Sequence, residues 1–142
     1  MKEMAPLPAI GTQATRVHTI TEADIVSFAN ISGDRNPIHL DDEYAARSTF
    51  GKRIAHGFLT GAFISAVIGM DLPGTGSIYL GQTLKFLAPV FIGDTVTVKA
   101  EVIALREEKR LITLRTDCIN QKGIMVLTGE ATIKYMQEVD VS

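Results

Sequence analysis

Cysteine occurs only once in the 142 residues, at Cys118. A lone thiol closes no internal disulfide, which fits a reducing compartment, so a cytoplasmic setting is expected. Tryptophan is absent, and neither sign of charge is in strong excess: 14 basic side chains stand against 16 acidic ones. With no basic surplus to hold a phosphate backbone, nucleic acid is not expected as a main partner. Long apolar runs are missing too. The longest greasy stretch, residues 57–70, falls short of the ~20 residues that a membrane span needs. The opening MKEMAPLPAIGTQ carries no apolar segment of the secretory kind, so no signal is expected. Repeats, low-complexity tracts, linkers and Gly-rich phosphate loops are all lacking. His39 and His56 stand too far apart to read as a local ligand pair, and no cysteine joins them, so neither a metal nor a cofactor is expected. What is present suits one globular domain over residues 1–142, with 46% hydrophobic residues to build its core.

Residues 1–13 read as a loose lead-in and 14–20 as a first strand. Thr21 offers an N-cap, with Asp24 three residues on as its capping-box partner. The short helix that follows places Ile25, Phe28 and Ala29 on one face, and Gly33 suits its end. Pro37 keeps Asn36 out of the α conformation, which makes 33–37 an extended post-helix loop. A second short helix is predicted to start near Asp41, with the Asp41 and Asp42 carboxylates as caps. Residues 56–70 then form an uncharged helix, apolar on nearly every side and so predicted to be buried on nearly every side. Gly57, Gly61, Ser65 and Gly69 line one side of it; close strand packing and a slot for an acyl chain are both open readings of that stripe.

Downstream, apolar residues alternate. They fall on the even positions of 78–86 and 95–105 and on the odd positions of 125–135, from Met125 onward, and the even face of 112–118 is again the less polar one. Short polar breaks at 92–94, 106–110 and 121–123 suit an antiparallel sheet. Cys118 lies on an apolar strand face and reads as core; His18 lies in a polar-flanked strand and reads as solvated. A sheet of this kind wraps around the single greasy helix, giving an α+β hot-dog fold. Its open edge and half-apolar back are expected to be covered by a second copy, as a homodimer.

Chemistry concentrates between the two helical regions, in Phe28-Ala29-Asn30-Ile31-Ser32-Gly33-Asp34-Arg35-Asn36-Pro37-Ile38-His39, with Ala45 six residues beyond. A carboxylate and an imidazole on one rigid segment can both hydrogen-bond a single water. This stretch resembles the signature of the MaoC-like (R)-specific enoyl-CoA hydratases, also called hydratase 2. That signature runs aromatic residue, Ser/Gly step, Gly-Asp, any residue, Asn-Pro, aliphatic residue, His, and a small residue six further on. The likeness continues through His56-Gly57, GSIYLGQTLKFLAPVFIGD, and Thr128-Gly129-Glu130-Ala131. It is strongest to the short single-domain bacterial members that supply (R)-3-hydroxyacyl-CoA for polyhydroxyalkanoate synthesis.

The resemblance implies reversible syn hydration of short- to medium-chain trans-2-enoyl-CoA. Such a reaction needs a water made nucleophilic at C3, a proton delivered to C2, and a donor for the enolate-like thioester oxygen. Asp34 and His39 answer the first two needs. Gly57 opens a helix, where N–H groups are unpaired and the dipole is positive, so its backbone N–H is the implied oxyanion donor. Asn36 and Pro37 are read as holding the loop, with Asn36 also placed among the substrate-contacting residues. His56 either braces the oxyanion loop or touches substrate. Ser65 corresponds to the floor of the acyl pocket in similar enzymes, and Tyr79 is a candidate for lining the tunnel. Lys52, Arg53 and Lys85 are candidates for the CoA phosphates. Three other readings compete: an acyl-CoA thioesterase, a dehydratase on acyl carrier protein, and a non-catalytic acyl-CoA-binding module. The first does not call for this loop, and the last could dispense with Asp34 or His39.

Overall fold

A computed structural model describes residues 1–141. In chain order the elements are β1 (Lys2–Met4), β2 (Gln13–Thr19), α1 (Glu22–Ser32), α2 (Pro37–Leu40), α3 (Asp42–Ala46), α4 (Gly57–Met70), β3 (Ser77–Gln82), β4 (Lys85–Phe86), β5 (Thr95–Arg106), β6 (Leu111–Ile119), β7 (Met125–Tyr135) and β8 (Glu138–Asp140). A short 3-10 turn, Glu107–Lys109, joins β5 to β6. The main sheet is antiparallel in the order β2-β5-β6-β7-β3, with β4 also paired to β7. Its concave face carries Val96, Val98, Ala100, Val102, Ile112 and Leu114, all buried against Ile64, Val67 and Ile68 of α4. This is the hot-dog arrangement: apolar periods of two on the sheet close over an apolar helix.

The residue-level reasons for α1 match its sequence. Thr21 Oγ1 accepts from the Asp24 N–H at 3.1 Å and Asp24 Oδ2 accepts from the Thr21 N–H at 2.9 Å, a complete capping box. Gly33 closes the helix at φ 81°, in the left-handed region that glycine enters without strain.

Several expectations are corrected. The loose lead-in is structured in part, because Lys2–Met4 pairs antiparallel with Glu138–Asp140. Arg110 Nη2 also donates to the Ala5 carbonyl at 2.7 Å. The loop after Gly33 ends sooner than predicted: Pro37 opens the one-turn helix α2, with its fixed φ and missing N–H suited to a first helical position. Three of the strand alternations are interrupted by register shifts, and in β3, shifted between Tyr79 and Gly81, the even-position Ile78 and Leu80 are exposed rather than buried. A second shift, between Val102 and Ala104, leaves Ala104 exposed; the third, at Cys118/Ile119, turns Met125 outward and Val126 inward.

Nor is α4 buried all round. Leu59, Ile64, Val67 and Ile68 face the sheet, while Phe58, Ala62, Ser65 and Met70 are exposed, Phe58 to 64%. A sheet from one chain covers only one side of a helix, and uniform greasiness does not say who covers the other. His18 is not merely solvated. Its Nε2 lies 2.8 Å from Asp24 Oδ2, and its ring packs on Phe63 at 4.3 Å. Cys118 is fully buried, and burial pushes its thiol up to about 12, with Asp117 adding to the shift, as suits core rather than nucleophile.

Candidate active site

The GDRNPIH segment is a chain of local caps. The Ser32 hydroxyl donates to the Phe28 carbonyl at 2.7 Å and accepts the Asp34 N–H at 3.1 Å. Asp34 Oδ1 accepts the Asn36 N–H at 3.2 Å, and Asn36 Oδ1 accepts the Ile38 N–H at 3.1 Å, capping α2. Each polar residue therefore fixes the backbone two residues on. Asp34 Oδ2 is left free on one end of the turn, and His39 stands on the helix at the other.

The two groups face each other, with His39 Nε2 and Asp34 Oδ2 separated by 4.0 Å. That is too long for a direct hydrogen bond and short enough for one water to bond to both. The Ile54 carbonyl lies 2.7 Å from His39 Nδ1. A carbonyl only accepts, so Nδ1 carries the hydrogen and Nε2 presents a lone pair toward Asp34. Burial holds the imidazolium of His39 below its ordinary range. The Ile54 carbonyl pulls the other way, His56 deepens the lowering, and Asp34 opposes it. His39 is thus neutral at pH 7.

His56 is 2% exposed and stacks on His39 with ring centroids 3.8 Å apart. It is the N-cap of α4, yet its side chain makes no cap bond. Instead, Nε2 donates to the Asp34 carbonyl at 3.0 Å, tying the acidic turn to the start of the helix. Its Nδ1 and the Thr60 hydroxyl are buried without a hydrogen-bond partner in the protein. Asp34, His39 and His56 each place a possible ligand atom within 4.8 Å of the others. Their separation in sequence concealed this juxtaposition. Three donors could hold a divalent ion, although His56 already commits one nitrogen to a carbonyl.

A cavity of about 450 Å³ opens beside this group, and its lining includes His39, Gly57, Thr60, Phe86 and Leu127. Gly57, the first residue of α4, has no preceding helical carbonyl for its N–H. A Cβ there would lie 2.7 Å from the Phe86 ring, so glycine permits the close approach of β4 and leaves the amide open. The Gly61 stripe position lies against Leu84, at 3.5 Å for an added Cβ, which supports the packing reading at that point.

The fold therefore gathers Asp34, His39, His56 and Gly57, with Asn36 serving the turn. Ser65 is exposed on the outer side of α4, and Tyr79 is on β3, bonded through its hydroxyl to Gln82; neither lines this cavity. Burial pushes the Tyr79 phenol up to about 12. Arg53 is removed from the phosphate candidates: it is buried and donates to Glu22 at 2.7 Å, with Asp42 at 3.4 Å. Sequence reasoning missed Phe50, Thr60 and Phe86 as lining. Phe86 was legible only as an apolar strand position, and nothing marked the other two.

Comparison with known proteins identifies the family and the fold. The MaoC like domain profile matches residues 8–122. An (R)-specific enoyl-CoA hydratase of Rhodospirillum rubrum is 50% identical over 123 residues, covering 87% of this chain and 85% of that protein. Another (R)-specific enoyl-CoA hydratase, from Aeromonas caviae, is 46% identical over 125 residues, covering 88% of this chain and 93% of that one. The solved structure of an (R)-hydratase from A. caviae involved in PHA biosynthesis superposes with a TM-score of 0.89 at 44% identity, covering 92% of this chain and 99% of that chain.

Proposed function

The chain belongs to the MaoC-like domain family, and on that premise we propose that it is an (R)-specific enoyl-CoA hydratase. It is a hydro-lyase that adds water reversibly to a trans-2-enoyl-CoA to give the (R)-3-hydroxyacyl-CoA. The observation that carries this reading is the 4.0 Å approach of Asp34 Oδ2 to the lone pair of His39 Nε2, with His39 and Gly57 both lining one cavity.

The steps follow from the groups. Asp34 accepts one hydrogen of the water and His39 Nε2 accepts the other. As the water oxygen bonds to C3, its proton passes to the pair, and the C2–C3 π electrons move toward the thioester oxygen. The Gly57 N–H, at the positive end of α4, stabilises that oxygen by roughly 3 kcal/mol in the transition state. The pair then returns the proton to C2 as the enolate collapses. Water and proton reach one face of the double bond because one cluster handles both. His56 positions the Asp34 turn through its bond to the Asp34 carbonyl.

With crotonyl-CoA as substrate, the conjugated enoyl-thioester absorbance should fall and the product should be the (R) isomer. Release of free CoA without hydration would favour the thioesterase reading, and no change at all would favour a binding module. An assembly of two copies is also proposed. Apolar side chains stand exposed on the outer face of α4, at Phe58 and Met70, and on the edge strand β3, at Ile78 and Leu80, surfaces that a second copy would cover. Light scattering should return twice the 15.4 kDa mass of one chain; a monomer at micromolar concentration contradicts it.

A further inference from the structure

We propose that a second groove, beside the catalytic cavity and lined by Lys52 and Lys122, holds phosphate of the substrate's carrier arm. This rests on the hydratase reading and extends it to a part of the substrate that the catalytic cavity does not serve. That cavity has no Lys or Arg among its lining residues. A carrier thioester with its phosphates must therefore place those charges elsewhere.

The neighbouring groove, of about 360 Å³, shares Ala88 and Pro89 with the catalytic cavity, so one wall runs from the reacting centre into it. Lys52 and Lys122 both line it, the first from the segment before α4 and the second from the β6–β7 turn. Among the described residues, neither ammonium group has a carboxylate within 4.0 Å. The acid that lines the groove, Asp94, is already engaged: Oδ1 accepts from Gln121 Nε2 and Oδ2 from the Phe91 N–H, each at 2.9 Å.

Both lysines are placed by their surroundings. Lys52 Nζ stands 4.6 Å over the Phe91 ring. The turn bearing Lys122 is tied by Asn120 Oδ1, which accepts the Lys122 and Ile124 N–H groups at 2.9 and 3.0 Å. Lys52 and Lys122 outnumber Asp94, the one acid on the groove, so in a chain of net charge −2 this lining carries a local positive excess suited to an anion. Lys85, on β4, lines neither the cavity nor the groove. Phosphate is common to CoA and to the phosphopantetheine of an acyl carrier protein, so the test separates the two sources.

The double variant Lys52→Glu/Lys122→Glu and the unaltered protein are compared on crotonyl-CoA, crotonyl-phosphopantetheine and crotonyl-pantetheine. Both lysines are exposed, and the pantetheine substrate reports on the catalytic site independently of phosphate. The expected result is a fall of about tenfold in kcat/KM with crotonyl-CoA, carried mainly by KM, and a change below about twofold with crotonyl-pantetheine. An equal fall with crotonyl-phosphopantetheine assigns the groove to the phosphate both carriers share; a fall with crotonyl-CoA alone assigns it to the nucleotide phosphates. Equal losses on all three substrates, or none with crotonyl-CoA, overturn the proposal while leaving the hydratase reading intact. An unaltered protein inactive on all three overturns the hydratase reading itself.

Discussion

Asp34→Asn lowers kcat for hydration by about 10²- to 10⁴-fold, with KM changed little. The amide keeps an oxygen for the Asn36 N–H, so the turn survives, but it no longer presents a carboxylate to the water. His39→Gln has a loss of similar size, because no basic nitrogen then stands 4.0 Å from Asp34 Oδ2. Both effects are read in steady-state kinetics alongside thermal melts. A variant that melts like the unaltered protein and retains more than about a tenth of its rate removes that residue from the mechanism.

The same site sets an acid limb on the pH profile. Burial lowers the pKa of His39 in the folded chain, so the lone pair at Nε2 survives below the ordinary titration of an imidazole near ~6.5. Activity holds at neutral pH and declines only as His39 takes up its proton, at a pH below that value. The stability consequence has the same sign. Between the lowered folded value and the unfolded one, the unfolded chain binds more protons. The contribution is therefore complete above the unfolded value and is lost as pH falls through the window beneath it. A rate that falls between pH 8 and 7 contradicts the assignment of His39 as the neutral base.

Gly129→Ala carries the largest stability effect expected. Gly129 lies on β7 where the chain crosses from β3 to β4, and a Cβ there would stand 1.8 Å from the Thr83 carbonyl oxygen. The obstructing atom is backbone, so no side chain can swing aside. The β3–β4 connection has to move, and Phe86 and Leu87 of the cavity wall move with it. The cost is about 3 kcal/mol, or a fall of about 10 °C in Tm, with loss of activity below it. Gly81→Ala on β3 is the control: nothing lies within 4 Å of its added Cβ, and it should melt within a few degrees of the unaltered protein. Equal melting of the two variants contradicts the close crossing at Thr83.

Much of this was readable from residue order because the forces involved are local. Thr21 and Asp24 cap α1 across three residues, and Ser32, Asp34 and Asn36 each bond backbone within four. Interactions of that range are written directly in spacing. Alternation identified β6 from Ile112 to Cys118 without error, since one pleated strand buries every second side chain. It failed at Ala104, at Met125, and at Ile78 and Leu80 of β3, in strands whose register is shifted by a bulge that only the partner strand shows.

By itself, then, the order of residues determined the antiparallel sheet around one greasy helix, the capped turn carrying Asp34, and the presence of His39 a fixed distance along it. Tertiary structure alone decided the rest. It brought His56 onto His39 from seventeen residues away, passed the Asp34 carbonyl to His56 Nε2, and closed Phe86 of a distant strand over Gly57. It also withdrew Arg53 into an ion pair and set Lys122 on the same groove as Lys52. The physical reason is range. Caps and pleats act between neighbours in the chain, whereas a cavity wall and the field inside it are made by groups that meet only when the sheet closes on the helix.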